Sequence, residues 1–177
     1  IDRDALQRNI EAMARFARDA GIVLRPHAKT HKSVDVARLQ LAAGAIGVCC
    51  AKLGEAEAPA GGGVDNILIT SPVVTPQAVE RLIALRKRVT NFCVVADNPS
   101  NVEALAQAAT PDAPLSVIVD VDPGIRRTGV ANAEVAVALA RAIQSAPALH
   151  YAGVQLYCGA QQHIESYADR RTAIADR

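Results

Sequence analysis

The sequence has few of the features that mark nucleic-acid-binding or membrane proteins. Tryptophan is absent, aromatic residues make up 3% of the chain, and the formal net charge is only +1. Lysine and arginine are scattered rather than clustered, so we expect neither nucleic acid nor a membrane surface as a partner. No run reaches the roughly 18 uninterrupted apolar residues that a membrane-spanning helix needs. Half of the 177 residues are hydrophobic, which is enough to bury a core.

Cysteine is also sparse, and its spacing excludes the common metal-finger and redox motifs. The chain has four cysteines and no CxxC pair. Each lies in or beside an apolar run, so we expect reduced, buried thiols in a cytoplasmic protein. No signal peptide is visible. The first residue is Ile1 rather than methionine and the last residues lie within a helical pattern, so we expect a piece of a longer protein.

Apolar runs alternate with helix-period segments along the whole chain. The runs predict six β-strands, and their continuous β-branched character is typical of a parallel sheet. The helical segments are bounded by recognisable signals, such as Pro76 at a first turn and Asn98 as an N-cap. The predicted strands are 22–26, 45–50, 66–71, 92–96, 115–121 and 151–157, and the predicted helices are 4–20, 34–43, 52–60, 76–88, 99–108, 133–146 and 164 onward.

Two architectures fit this alternation, an open doubly wound sheet and a closed barrel. An open sheet usually has a glycine-rich turn after its first strand, but no glycine follows that strand before Gly44. Polar residues instead gather after strand ends, at 27–32, 122–129 and 155–163, and barrels place their active sites at that face. We therefore predict a (β/α)8 TIM-type barrel truncated to about six strands, with residues 1–177 forming one incomplete domain.

The first polar cluster contains two of the four lysines in the chain. Lys29 follows the first predicted strand, where its stem would lie in an apolar barrel mouth. Desolvation favours a neutral amine, which can form a Schiff base, although the spacing alone favours an ordinary solvated loop lysine. His27 and His31 are four residues apart, but Pro26 and the strand exit argue against a helical metal-binding pair.

The string Pro26-His27-Ala28-Lys29-Thr30-His31-Lys32, together with residues 44–52, resembles the D-threonine aldolase and D-serine dehydratase family. That family belongs with alanine racemase among the barrel-type pyridoxal-phosphate enzymes, and the resemblance extends over essentially the whole chain. It implies that pyridoxal 5'-phosphate is the cofactor and that Lys29 forms the Schiff base with it. His27 is expected to contact the cofactor as well.

The second cluster, residues 120–130, resembles the family segment Asp-x-Gly-x-x-Arg-x-Gly. Arg127 occupies the position of the family arginine that donates to the phenolic oxygen of the cofactor. A permanent cation at that place would sustain the ionised ring and orient it. Arg126 is interpreted as a surface charge, and Gly124 and Gly129 fit a tight turn.

The third cluster, residues 155–163, resembles the family segment Gln-x-Tyr-x-Gly-x-x-Gln-His. Strand alternation puts Gln155 and Tyr157 on one face, which would be the barrel interior. The resemblance implies that both contact the cofactor ring, although Tyr157 would also fit as a plain core residue. His163 could orient a neighbouring group or cap the next helix.

The resemblance implies a lyase that acts on β-hydroxy D-amino acids, with D-threonine aldolase as the leading hypothesis. D-Serine dehydratase is the main alternative, and an amino-acid racemase or a non-catalytic pyridoxal-phosphate carrier are further ones, because a barrel fold alone does not separate activities. A divalent metal, Mn or Zn, is expected from a C-terminal domain outside this chain, as is the phosphate-binding part of the barrel. No metal ligand is assigned here, and the full-length protein is expected to be a homodimer.

Overall fold

A computed structural model describes residues 2–176 of the chain. Helices and strands alternate from end to end, interrupted by 3₁₀ turns at Ala28–Thr30 and Gly159–His163. The helices are α1 (Arg3–Asp19), α2 (Val34–Ala42), α3 (Leu53–Gly61), α4 (Pro76–Arg86), α5 (Pro99–Ala108), α6 (Ala133–Ser145) and α7 (Tyr167–Ala175). The strands are β1 (Val48–Cys50), β2 (Asn66–Ile69), β3 (Asn91–Ala96), β4 (Leu115–Val121) and β5 (Leu149–Leu156).

The five strands form one sheet in which they follow one another in chain order. β1 pairs with β2 in parallel, and β4 pairs with β5 in parallel. Parallel neighbours need a crossover connection, and a helix lies between the two strands of each pair. The alternating α/β class predicted from the sequence is confirmed.

The predicted first strand is wrong as a regular element, so the described part of the chain has five strands rather than six. Residues 22–26 run beside β1, where the carbonyl oxygens of Leu24 and Pro26 accept from the backbone N–H groups of Ile46 and Cys49 at 2.8 Å each. A single bridge joins His27 to Cys49. Pro26 has no N–H group to donate, so a continuous ladder cannot form through it.

Side-chain caps account for most helix starts. Asn98 accepts from the N–H of Ser100 at 2.9 Å, and Pro76 is the first residue of α4, both as predicted. Most boundaries agree with the prediction to within two residues. The last helix starts three residues later than predicted, because the 3₁₀ turn Gly159–His163 comes first and Ser166 then caps α7 through the N–H of Asp169. His163 therefore does not cap this helix.

The chain divides into two compact units, each with its own packed apolar side chains. The first unit runs to Thr70 and includes Glu80–Cys93; α3 packs on β1 and β2 there. The second unit comprises Ser71–Val79 and the chain from Val94 onward; α6 packs on β4 and β5 there. Fully buried side chains in the first unit include Val48, Ile67, Ile69, Leu82 and Phe92, and in the second Leu105, Leu115, Leu139 and Ile143.

All four cysteines are free thiols, as the spacing predicted. The sequence predicts that all four are buried, but only Cys50 is, and the other three are half-buried. Burial raises the pKa of the Cys50 thiol to about 12, and the nearby Glu55 carboxylate adds to this rise. Cys50 therefore stays protonated and unreactive near neutral pH. Within residues 2–176, none of the helices has the length and apolar character needed to cross a membrane.

Candidate functional site

Lys29 lies in a short 3₁₀ turn that directly follows the extended segment 22–26. His27 caps this turn, and its Nδ1 accepts from the backbone N–H of Lys29 at 3.3 Å. The turn is closed by the N–H of Lys32, which donates to the carbonyl oxygen of Ala28 at 2.8 Å. Ala28 is buried, whereas Lys29 is exposed. The turn therefore fixes the Lys29 backbone and directs its amine-bearing side chain outward.

The His27 imidazole is held between two elements of the first unit. Its Nε2 lies 3.3 Å from Oγ1 of Thr70, the residue that follows β2. Burial lowers the pKa of His27, the Lys29 ammonium lowers it further, and the Glu55 carboxylate partly opposes both. Because the pKa falls below its ordinary value of 6.5, the ring is uncharged near neutral pH.

His31 is also engaged locally. Its Nδ1 accepts from the backbone N–H of Ser33 at 3.1 Å. This hydrogen bond within its own turn orients the His31 ring. No cluster of three or more His, Cys, Asp or Glu side chains within residues 2–176 is arranged to hold a metal ion. His27 and His31 thus act as capping side chains within their turns in this structure.

The loop that follows β4 is organised around the carboxylate of Asp122. Its Oδ1 accepts from the backbone N–H groups of Gly124, Ile125 and Arg126 at 2.9, 2.7 and 3.0 Å. Desolvation, the largest single influence, raises the pKa of Asp122, but these hydrogen bonds and the Arg126 charge outweigh it and leave the pKa lowered. The carboxylate therefore remains ionised and holds Arg126 at φ 59, a left-handed conformation.

The same loop closes on itself at Gly129 and Val130. The backbone N–H of Asp122 donates to the Val130 carbonyl at 3.0 Å, and the N–H of Gly129 donates to Asp97 Oδ2 at 2.9 Å. Gly129 has φ 104, and a Cβ there would lie 2.5 Å from the Asp122 nitrogen. A glycine is needed at this position, as the sequence pattern predicted.

Arg127 and Tyr157, two of the predicted cofactor contacts, meet in the second unit. The Arg127 guanidinium lies over the Tyr157 ring, with Cζ 4.9 Å from its centroid. Gln162 donates to the Tyr157 hydroxyl at 3.3 Å. Both Arg127 and Tyr157 are exposed, so the stacked pair presents a permanent positive charge at the surface of the loop.

Gln155 lies opposite Asp120 in the β4–β5 register. Its Nε2 donates to Asp120 Oδ1 at 2.8 Å. Asp120 is 3% exposed, and its Oδ2 has no hydrogen-bond partner among the described residues. A cavity of about 10 Å³ adjoins this carboxylate and is lined also by Arg127 and Tyr157. An unpaired buried carboxylate oxygen is costly, so this position is suited to a donor or a cation.

Sequence reasoning missed three polar residues that organise these loops. Asp120 and Asp122 lie in the same motif as Arg127, and their position after a buried strand could have singled them out. Thr70 gave no signal, because it ends an apolar strand and its partner His27 is 43 positions away. Long-range partners of this kind do not follow from local sequence.

The model of the family described as alanine racemase, N-terminal domain, matches residues 1–175 of the chain. The chain belongs to this family. It is 41% identical to the 3-hydroxy-D-aspartate aldolase of Paracoccus denitrificans (strain Pd 1222) over 98% of this chain and 46% of that protein. The predicted alanine-racemase-type barrel fold, truncated relative to its relatives, is confirmed.

Two solved structures are also similar to this chain. The D-threonine aldolase from Filomicrobium marinum superposes with a TM-score of 0.95 and 37% identity, over 99% of this chain and 47% of that one. The D-threo-3-hydroxyaspartate dehydratase from Delftia sp. HT23 gives a TM-score of 0.89 and 28% identity, over 99% of this chain and 46% of that one. The chain therefore spans about half the length of the relatives it matches.

Proposed function

We propose that this chain forms the cofactor-binding part of a pyridoxal-phosphate lyase, and that Lys29 carries the cofactor. The observation that carries the proposal is the Lys29 turn itself: an exposed lysine on a backbone fixed by a neutral histidine. A covalent amine must start from a fixed position if the bound group is to be oriented. The family membership and the heptapeptide at 26–32 support the same reading.

The side chains in the two units have the chemistry that pyridoxal phosphate requires. In the first unit, Lys29 supplies a primary amine for the cofactor aldehyde. In the second, Arg127 supplies a guanidinium for the phenolic oxygen. The buried Asp120 also lies there, and its Oδ2, which has no hydrogen-bond partner among the described residues, could accept from a donor or bind a cation. Gln155 and Tyr157 are proposed as ring contacts, and His27 as a contact beside Lys29. We propose that the cofactor phosphate is held by residues outside this chain.

When bound, the cofactor would act as the electron sink for the pair released as the substrate Cα–Cβ bond breaks. The residues of the chain would hold and orient it. Lys29 would anchor it, Arg127 would stabilise the ionised phenolic oxygen, and the neutral His27 would keep the turn in place without adding positive charge. Such preorganised charge is worth far more in a site that excludes water than at an open surface.

We propose β-hydroxy D-amino acids as substrates, and glycine plus an aldehyde as products. The names of the aldolase relatives, which specify 3-hydroxy-D-aspartate and D-threonine, support this class. Cleavage of D-threonine would yield glycine and acetaldehyde, and cleavage of 3-hydroxy-D-aspartate would yield glycine and glyoxylate. D-Threonine remains our leading candidate, with 3-hydroxy-D-aspartate beside it.

The test is product analysis with the full-length protein, pyridoxal phosphate and Mn²⁺. D-Threonine and 3-hydroxy-D-aspartate are supplied separately, with the L-isomers as matched controls. Glycine together with the corresponding aldehyde, from the D-isomers alone, is the expected result. Absence of glycine from both D-substrates would contradict the aldolase assignment.

A dehydratase is the second candidate, because a dehydratase relative superposes over 99% of the chain. A dehydratase would remove the Cα proton and expel the β-hydroxyl group, giving a 2-oxo acid and ammonia. The same assay detects these products, so it separates the two lyases. A racemase would instead interconvert D- and L-isomers, and a non-catalytic carrier would give none of these products.

The remaining proposals concern the whole protein. We propose that a divalent metal, Mn or Zn, is bound by a C-terminal domain outside this chain, and that residues 1–177 are one part of a barrel domain. We further propose a cytoplasmic homodimer. Metal removal by a chelator from the full-length protein should abolish aldolase activity and leave the visible absorbance of the lysine-bound cofactor largely unchanged.

A further inference from the structure

A chain of hydrogen bonds links the strand end at Thr70 to the backbone of Lys29. Thr70 Oγ1 donates its one hydroxyl proton to the carbonyl oxygen of Cys50 at 3.2 Å. The contact of 3.3 Å between Thr70 Oγ1 and His27 Nε2 must then be donated by the imidazole. His27 therefore carries its proton on Nε2.

The other side of the ring leads to the same assignment independently. The backbone N–H of Lys29 donates to Nδ1 of His27, so Nδ1 must be unprotonated. A neutral imidazole with its proton on Nε2 satisfies both contacts, and the opposite tautomer satisfies neither. A charged imidazolium would bring its Nδ1–H against the Lys29 N–H, which would break the cap.

We propose that Thr70 is a positioning residue for Lys29: its hydroxyl fixes the tautomer of His27, and the bare Nδ1 then holds the Lys29 amide. The proposal rests on the proposed function only for the role of the Lys29 amine. Thr70 itself has no assigned role in the cofactor chemistry. Thr70 acts on Lys29 indirectly: it contacts the His27 imidazole, and the imidazole binds the backbone N–H of Lys29.

The charges around His27 favour the same neutral form. The Lys29 ammonium opposes a proton on the ring, and burial does so more strongly, whereas the Glu55 carboxylate favours one. The thiols of Cys49 and Cys50 on the neighbouring strand are uncharged, because burial raises the pKa of each. Glu55 is itself held by the backbone N–H of Ala51 at 2.9 Å.

The test compares Thr70→Val with Thr70→Ser in the full-length protein without cofactor. Long-range ¹H–¹⁵N spectra of the imidazoles distinguish a protonated from a bare ring nitrogen, and the His27 signal is assigned by its loss in His27→Asn. Wild type and Thr70→Ser should show the Nε2–H form. Thr70→Val keeps the shape of the side chain but removes the acceptor of the Nε2–H group. The Lys29 N–H still favours a bare Nδ1, so the Nδ1–H form should appear beside the Nε2–H form rather than replace it.

A second readout follows the Lys29 amide by hydrogen exchange. Loss of one weak hydrogen bond should speed its exchange about tenfold in Thr70→Val and leave it near wild type in Thr70→Ser. With pyridoxal phosphate added, Thr70→Val should bind it more slowly than Thr70→Ser.

A wild-type His27 protonated on Nδ1, or a Thr70→Val imidazole spectrum identical to that of wild type, overturns the proposal. If these two results hold but wild type binds no cofactor, the proposed function fails while the positioning of Lys29 stands.

Discussion

Arg127 lies over the face of Tyr157, with 4.9 Å between the guanidinium carbon and the ring centroid. An exposed contact of this kind contributes about 0.5–1 kcal/mol, so it orients the arginine without holding it rigidly. The stack uses the face of the guanidinium and leaves its N–H edge for an anion. This arrangement agrees with the proposed role of Arg127, which is to donate hydrogen bonds to the phenolic oxygen of the cofactor.

Replacing Arg127 should weaken cofactor binding. In the full-length protein, Arg127→Leu should still attach pyridoxal phosphate, but hold it less tightly and turn over more slowly. Loss of one charged donor to a partly buried oxyanion costs roughly 2–4 kcal/mol. Cofactor affinity by titration and kcat measure both effects.

Arg126→Leu is the matched control. Arg126 is exposed, and its hydrogen bonds to Asp122 come from its backbone N–H, which leucine retains; only the weaker influence of its charge is lost. We expect near-normal affinity and turnover. If Arg126→Leu is impaired and Arg127→Leu is not, the assignment in this loop is off by one residue.

Asp122 should control the shape of the Arg127 loop. Asp122→Ala removes the acceptor of three backbone N–H groups, so the loop should loosen and cofactor affinity should fall. Asp122→Asn keeps an acceptor and should be milder, and the exposed Asp112→Ala should have no effect. Hydrogen exchange of the Gly124 and Arg126 amides measures this, and unchanged exchange in Asp122→Ala would contradict it.

The same carboxylate predicts an acid response. The pKa of Asp122 lies below its ordinary value of 3.8 in the folded protein. Its stabilising contribution is complete above that ordinary value, and is lost as pH falls through the lowered pKa. The amides of residues 124–126 should therefore stay protected in mild acid, and lose protection below about pH 4. In Asp122→Asn, this pH dependence should disappear.

Gly129→Ala should destabilise the protein. Alanine at φ 104 is strained, and its Cβ would meet the Asp122 nitrogen at 2.5 Å. Gly54 is the control, because it lies within α3 and has no positive φ. No neighbouring atom lies within 4 Å of the position that its Cβ would occupy. Gly54→Ala should leave stability unchanged or raise it by about 0.5–1 kcal/mol. Thermal unfolding compares the two, and equal midpoints would contradict the strain argument.

Local sequence signals predicted the elements of the fold better than their edges. Periodicity located the seven helices of residues 2–176 and five of the six proposed strands. The sequence predicts a strand at 22–26 because its residues, apart from Arg25, are apolar. Its pairing failed at Pro26, where no N–H is available for a ladder. The 3₁₀ turn at Ala28–Thr30 depends on the His27 side chain, which periodicity does not register.

For the candidate site as well, local sequence predicted individual residues but not the contacts between residues that are distant in the chain. Strand alternation groups Gln155 with Tyr157 on one face. It does not predict the hydrogen bond from Gln155 to Asp120, which depends on the register between β4 and β5. Arg127 was located by its motif, whereas its stack on Tyr157 joins residues 30 positions apart. Thr70 escaped prediction for the same reason: its contact with His27 exists only after the strands have paired.

The most direct test of the central assignment compares Lys29→Ala with Lys32→Ala in the full-length protein. Both lysines are exposed and lie in the same turn, so the two changes remove equal charge from nearly the same place. After incubation with pyridoxal phosphate and removal of the excess, visible absorbance spectra report the covalently bound cofactor. We expect Lys29→Ala to lose both the absorbance and the activity, and Lys32→Ala to keep both. A normal visible spectrum in Lys29→Ala would contradict the account.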